Sequence, residues 1–369
     1  MPAVAAASIT GRVLSRARRG GRSVPVTVVI ATYLEPELVA RIEGALPGLR
    51  VLYDPALVPP TRYIADHTGP SDWSRTPAQE ARFREWLGQA DVMFDFDRRL
   101  SAELPKLAPR LRWIQSTSSG IGPFLRQTGL DRSGIAVTNA AGIHAVPLAE
   151  HAMLAMLYFC KEVPRLRAEQ AAHRWERYCG KQLRDQTVGV IGMGAVGREI
   201  AHLSQSMGLR VLGIKRTVAG LEPAALHADE LFTPDELPRV LPRCDYLILM
   251  VPQTPDTEGM MGARELALLP AGAVLINLAR GAIVDQDALV AALRDGHLAG
   301  AALDVARREP LEADSPLWDM PNVLISPHSA STVEQENARL VDLFCRNLAR
   351  FAGGEPLLNL FTDGTERLE

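Results

Sequence analysis

TVGVIGMGAVG, residues 187–197, is a short apolar β run that breaks into Gly192-Met193-Gly194-Ala195-Val196-Gly197 and continues into the helical pattern REIAHLSQSMG. Strand, glycine turn and helix start follow one another without a gap. The three glycines have separate roles. Gly192 makes the tight turn, Gly194 lets a pyrophosphate approach the backbone, and Gly197 lets the helix pack on the strand. Phosphates placed there would face the free N–H groups and the positive dipole end of the helix. A G-x-G-x-x-G alone is a weak signal, because glycine turns also serve purely structural ends. The strand before it, the helix after it and a second strand at 209–214 turn it into a dinucleotide site.

Outward from this turn the chain alternates between strand and helix. Further strands are predicted near 246–251, 273–277, 300–304 and 323–326, separated by helices. Upstream, residues 24–31 (VPVTVVIA) read as a buried strand and 35–46 as an amphipathic helix. A strand at 49–53, a helix at 77–89, a strand at 91–94, a short helix near Leu104 and strands at 111–115 and 135–138 complete a first α/β unit. The last helix, 333–353, has no following strand, so it can return to the N-terminal unit. The expected fold class is therefore α/β with two doubly wound parallel-sheet domains. A Rossmann cofactor domain would span 142–332, and a flavodoxin-like, discontinuous substrate domain 24–141 and 333–369.

Two stretches interrupt the pattern. Residues 54–76 (DPALVPPTRYIADHTGPSDWSRT) show no period and form a long loop or irregular excursion. Ordinary packing is the simpler account of its Tyr63, His67 and Trp73, and closing a pocket the functional one. Residues 142–167 carry a long helix whose centre, AEHAMLAMLYFC, is apolar nearly all round and so is expected to be buried on more than one side. Packing between domains or against a second subunit would satisfy it, and a homodimer is the expected assembly.

The bulk numbers set limits. A chain of 369 residues exceeds what one core usually supports, and 47% hydrophobic content suffices for two. A net charge of −3 argues against nucleic-acid binding, which usually needs a basic face. Cys160, Cys179, Cys244 and Cys345 show no metal-binding spacing, so the expectation is reduced thiols in a cytoplasmic protein with no metal. No apolar stretch reaches membrane-spanning length, since Glu150 and His151 interrupt the longest, and no membrane partner is expected. Residues 1–23 hold Arg12, Arg16, Arg18, Arg19 and Arg22 and no acidic residue, which reads as a disordered basic extension and also suits a transit peptide.

Three residues at predicted strand ends carry chemistry. Arg280, in Asn277-Leu278-Ala279-Arg280-Gly281, follows an apolar strand, and its planar fork suits a carboxylate. His328 ends the strand VLISPH, and Glu309 lies between the two in sequence. A lone histidine is more often a packed or surface residue. A glutamate that reaches its imidazole favours the imidazolium and makes it a general acid near neutral pH. The turn Ser116-Thr117-Ser118-Ser119-Gly120 sits at another strand's carboxyl end, where open α/β sheets place ligands.

From about residue 25 to 355 the sequence resembles the D-2-hydroxyacid dehydrogenase family, densely so from 140 to 335. The resemblance rests on PLAEH (147–151), GMGAVG, VPQTPDTEGMM (251–261), NLARGAIVDQDAL (277–289), ALDVARREPLEADSPLWDMPNV (302–323) and SPHSAS (326–331). It implies that Arg280 grips the substrate carboxylate and carbonyl, that His328 is the acid/base and that Glu309 is its partner. Ser119 and Gly120 would offer backbone N–H groups to the carboxylate, with Arg280. Asp304 would hold the nicotinamide carboxamide. Gly192, Met193, Gly194, Ala195, Val196, Gly197, Val251, Pro252 and Leu278, together with Arg280 and His328, would line the cofactor.

The implied reaction is NAD(P)H-dependent reduction of a small 2-oxo acid to the D-2-hydroxy acid, and its reverse, as in glyoxylate/hydroxypyruvate reductases. A formate- or phosphite-type dehydrogenase and a nucleotide-sensing, corepressor-like scaffold are the alternatives. The chain departs from the family at Gly122, where an Asp is frequent, and at Arg307-Arg308, which replace aromatic and acidic residues. The second cofactor strand runs Arg210-Val211-Leu212-Gly213-Ile214 into Lys215-Arg216-Thr217, with Lys215 where the family's acidic residue aligns. With no acid to bind a ribose 2′-OH and two cations and a hydroxyl for a 2′-phosphate, NADP(H) is favoured and NAD(H) remains open.

Overall fold

The computed structural model of the protein describes residues 25–361. The basic extension at 1–23 and residues 362–369 lie outside the described residues. The chain divides into two compact units, one running to Ile143 and resuming at Thr332, the other spanning His144–Ser331. These divisions fall two residues later and one residue earlier than the boundaries placed from sequence.

The first unit is built on β1 (Thr27–Ile30), β2 (Arg50–Leu52), β3 (Val92–Phe94), β4 (Trp113–Gln115) and β5 (Ala136–Thr138). All pair in parallel, in the doubly wound order β2-β1-β3-β4-β5. Every strand but the edge strand β2 is wholly buried, because helices cover both faces. Val29, Met93 and Ile114 face Phe83 and Leu87 of the helix Pro77–Gln89, which Thr76 and Gln79 start with a capping box. Val28, Ile30, Phe94 and Trp113 face the returning helix Glu336–Gly353.

That return is fixed by apolar and polar contacts together. The Phe344 ring lies 5.1 Å from the rings of both Phe94 and Trp113, and burying each such side chain contributes about 1.5–3 kcal/mol. Asn347, fully buried, donates to Gln115 Oε1 (3.2 Å) and Leu358 O (3.1 Å) and accepts the Leu358 N–H (2.8 Å). The chain after the helix then reaches β5, where Leu360 bridges Thr138.

Side-chain hydrogen bonds, rather than a helical or strand period, hold the 54–76 excursion. Asp66 accepts from Arg62 N, Nε and Nη2 and from the N–H groups of Thr68 and Gly69. Burial pushes its carboxyl up, but these donors outweigh burial and hold it well below the usual range. Arg75, itself buried, pairs with Asp97 at 2.6 Å, donates to Leu57 O and lies 3.7 Å over the Phe83 ring. Trp73 packs beside Arg75, His67 contacts Thr32 Oγ1 at 3.2 Å, and Tyr63 is exposed.

The second unit contains β6 (Thr187–Ile191), β7 (Arg210–Ile214), β8 (Glu230–Phe232), β9 (Tyr246–Leu249), β10 (Ala273–Asn277), β11 (Leu298–Leu303) and β12 (Val323–Ile325). They pair in parallel as β12-β11-β10-β9-β6-β7-β8, so the order reverses between β6 and β9. That is the switch point at which a doubly wound sheet opens a ligand crevice. The α/β class with two all-parallel sheets matches the sequence reading.

Three local features differ from that reading. The helix expected over 142–167 is two, Ala145–Cys160 and Val163–Ala171, broken at Glu162, whose φ is 53°. Pro164 causes the break: it has no N–H for the Cys160 carbonyl, and its ring would clash with it. The first of these helices is buried on more than one side. Leu148, Ala152, Met156 and Cys160 enter the core, Ala149, Met153 and Ala155 are buried as well, and Val146 and Leu154 are exposed. Strand β8 and the short helix Gly122–Thr128 went unpredicted, being too brief to show a period. Among the described residues no helix is long and apolar enough to cross a membrane, and all four cysteines are free.

Candidate functional site

The glycine turn lies at the switch point. Ile191 ends β6, and Gly192, with φ 109°, donates to Ile214 O across the turn at 2.9 Å. A Cβ on Gly192 would press into the Met250 carbonyl, and one on Gly197 into the carbonyl of Gly192. Gly194 is the N-cap of the helix Ala195–Ser206, whose first intrahelical bond is Arg198 N to Gly194 O. The N–H groups of the first turn therefore have no carbonyl partner within the helix, as an anion site requires. Met193 is buried beneath β7, while Ala195 and Val196 are half-buried. Such a cradle fits a dinucleotide pyrophosphate.

At the end of β7, Lys215 is half-buried and Arg216 and Thr217 are exposed. No carboxylate pairs with either cation among the described residues. Val251 and Pro252 follow β9, where the Thr257 hydroxyl closes a turn on Pro252 O at 2.7 Å. Leu278 is buried directly after β10.

The catalytic candidates come from the next three strand ends. Asn277, the last residue of β10, donates to Arg280 O (3.0 Å) and accepts from Ala279 N (3.1 Å), which fixes the turn presenting Arg280. After β11 comes Asp304, then Glu309. After β12 comes His328, whose Nδ1 lies 2.7 Å from Glu309 Oε2. Glu309 Oε1 in turn accepts the Ala306 N–H at 3.3 Å.

The electrostatics follow from these contacts. The Glu309 hydrogen bond raises the His328 pKa above its ordinary value, more than burial lowers it; Glu309 and Asp304 charges add to the rise and Arg280 opposes it. Burial pushes the Glu309 carboxyl up, but His328, the Ala306 N–H and Arg280 outweigh it and hold it below its usual value. Both shifts favour the charged pair. The side chains are 47% and 40% exposed, so solvent screens the interaction.

Arg280, Asp304, Glu309 and His328 are thus brought together at one end of the seven-stranded sheet. Ser119 and Gly120 lie in the other unit, beyond the carboxyl end of β4, and Gly120 is exposed there. The Gly122 departure opens the helix Gly122–Thr128. Arg307 turns to Asp287 at 2.8 Å, an exposed pair worth little. Sequence reasoning missed Asn277 and Ser326, the latter donating to Asp304 Oδ1 at 2.7 Å. A polar residue closing an otherwise apolar strand was the available signal for Asn277. His151 was also unassigned; burial pushes its pKa down against the pull of Asp304. A cavity of about 440 Å³ opens at the opposite, amino-terminal edge of the sheet, among Phe159, Arg165, Tyr246 and Pro321, away from these groups.

A family model described as D-isomer specific 2-hydroxyacid dehydrogenase, NAD binding domain, matches residues 153–330. A glyoxylate reductase of Aeropyrum pernix is 32% identical over 74% of this chain and 83% of its own length. The chain belongs to the D-isomer specific 2-hydroxyacid dehydrogenase family. This is a family of NAD(P)-dependent oxidoreductases acting on 2-oxo acids and their 2-hydroxy acids. A D-3-phosphoglycerate dehydrogenase of Archaeoglobus fulgidus is 32% identical over 76% of this chain, which spans only 53% of that relative's length. Among solved structures, an NADPH-dependent glyoxylate/hydroxypyruvate reductase of Sinorhizobium meliloti, bound to NADP and sulfate, superposes with a TM-score of 0.71. It is 27% identical, with 91% of this chain and 98% of that one covered.

The Glu309–His328 contact is directly testable. Because Glu309 is the first cause of the raised pKa, Glu309→Gln is expected to lower the pH at which His328 titrates, followed by NMR of [13Cε1]histidine-labelled protein. An unchanged midpoint would remove Glu309 as the partner.

Proposed function

We propose that the protein reduces a small 2-oxo acid of the glyoxylate/hydroxypyruvate kind to the D-2-hydroxy acid, using NADP(H) in preference to NAD(H). The observation that carries this reading is the His328–Glu309 pair within the field of Arg280 at adjacent strand ends. When bound, the reduced nicotinamide supplies the hydride for C2 of the acid. Arg280 holds the carboxylate and steadies negative charge developing on the carbonyl oxygen. His328, kept protonated by Glu309, gives its Nε2 proton to that oxygen, since Nδ1 is engaged by the carboxylate. Asp304 would hold the nicotinamide carboxamide. Residues 192–197, Val251, Pro252 and Leu278 would hold the cofactor.

Purified protein is expected to oxidise NADPH with glyoxylate or hydroxypyruvate. His328→Ala should lower kcat by about a hundredfold to ten-thousandfold, the usual worth of a general acid, with NADPH affinity within about twofold of the parent. Tight cofactor binding with no turnover of any 2-oxo acid would favour the scaffold alternative.

Cofactor preference rests on Lys215, Arg216 and Thr217, with no acid in the position that reads a ribose 2′-OH. Lys215→Asp should weaken NADPH use far more than NADH use, with smaller losses for Arg216→Ala. A higher kcat/KM for NADH than NADPH in the parent enzyme would overturn this assignment.

The assembly proposed is a homodimer. Arg174 forms a two-point pair with Glu169, at 2.7 and 3.1 Å, and the Tyr178 hydroxyl donates to Lys161 O at 3.1 Å. The arm between them is tied at both ends yet leaves Trp175 98% exposed, and Leu154 of the neighbouring helix is 53% exposed. A second copy of the same patch would bury both, as a two-fold interface requires. Leu154→Glu combined with Trp175→Ala should halve the mass measured by light scattering, and a parent that already runs as a monomer would refute the dimer.

A further inference from the structure

His328 occupies a backbone conformation that a side chain disfavours, with φ at 53°. Such a turn persists only where its surroundings over-determine it. Apart from Ser326 O, which shares the His328 N–H at 3.1 Å, the determinants converge on one residue. Asp304 O accepts the His328 N–H at 2.8 Å. Asp304 Oδ1 accepts the Ser326 hydroxyl at 2.7 Å, the Ser329 N–H at 2.8 Å and the Ala330 N–H at 3.0 Å. Asp304 is itself 3% exposed and follows β11 directly, so the anchor is rigid. Of the four donors, only the Ser326 hydroxyl belongs to a side chain.

We infer that Ser326 is a positioning residue for His328, acting through Asp304, whose Oδ1 is committed to the 326–330 turn. Asp304 then has only Oδ2 left for any contact with a cofactor. The inference rests on the reading of His328 as the general acid. Its physical content is an angle: Glu309 holds Nδ1, and the Asp304 bracket holds the backbone, so the imidazole is fixed at both ends. Loss of the hydroxyl leaves Asp304 with backbone donors alone, beside the Ser329 hydroxyl on Pro327 O, and the ring can swing. Arg280 is held by a different residue, Asn277, and the glycine turn lies on another strand. Binding of the acid should therefore survive, and the cofactor would keep the glycine turn and Asp304 Oδ2, which Ser326 does not touch.

The test compares full-length parent, Ser326→Ala and Ser326→Thr, using glyoxylate and NADPH as probes together with the [13Cε1]histidine titration. Ser326→Ala should lower kcat by about tenfold to hundredfold, the cost of a misaligned reacting group, with both KM values within about twofold. Its His328 midpoint should fall, because a looser ring keeps a poorer bond to Glu309, and the alkaline limb of the rate profile should move to lower pH with it. Ser326→Thr, which keeps the hydroxyl, should restore rate and midpoint together. Parent-like kcat and midpoint in Ser326→Ala would overturn the inference, as would a loss that threonine does not rescue or one spread equally over KM. If no 2-oxo acid is reduced even by the parent, the functional reading fails. A midpoint that still moves in the alanine variant and returns in the threonine variant would keep the bracket standing.

Discussion

A methyl group at position 197 would run into the carbonyl oxygen of Gly192, and one at position 192 into that of Met250. The second unit is built around this absence of side chains. It lets the helix Ala195–Ser206 start directly against β6, and lets the end of β9 lie alongside the turn. The strand order reverses between those two strands, and at positions 192, 194 and 197 only backbone faces the turn. Glycine there costs conformational entropy in the unfolded chain. What it provides is a row of N–H groups that an anion can approach without meeting a side chain.

The same sheet explains how residues far apart in sequence share one site. β10, β11 and β12 are consecutive neighbours, and parallel pairing puts all their carboxyl ends on one edge, roughly 5 Å apart per strand. Arg280, the 304–309 loop and His328 each follow one of these strands. Their charges are balanced against one another: Glu309 raises the His328 pKa and Arg280 lowers it. An arginine able to grip an anion would alone make the neighbouring imidazole a poor proton holder. The glutamate corrects this, and the Ala306 N–H helps keep it ionised.

The legible parts of the chain were those written in periods and in strand ends. Mostly apolar runs of three to six residues marked the strands other than β8, and the glycines marked the turn. Pro164 marked a helix break that the apolar run around it concealed. The 54–76 excursion carried no period because its order comes from Asp66 and Arg75, whose partners are backbone groups together with Arg62, Glu80 and a buried Asp97. The Ser326–Asp304 bond joins residues 22 apart, and no local rule connects them. Hydrogen bonds of this kind depend on strand register, which only the assembled sheet defines. Hence the candidate site's chemical groups were legible in the sequence as candidates, while the side chains that brace them in the fold were not.

On the function proposed above, discrimination between the two cofactors would turn on the sign of the charges after β7. A carboxylate at that position selects in two ways, accepting hydrogen bonds from a ribose diol and repelling a 2′-phosphate. Lys215 and Arg216 can only attract, so a cofactor lacking the phosphate loses favourable contacts but meets no repulsion. Attraction at the surface is screened by salt over about 8–10 Å at physiological ionic strength, and Arg216 and Thr217 are exposed. Lys215, half-buried and without a competing carboxylate among the described residues, is screened less. On that proposal the site would rank the cofactors rather than exclude one, and the ranking would narrow as ionic strength rises.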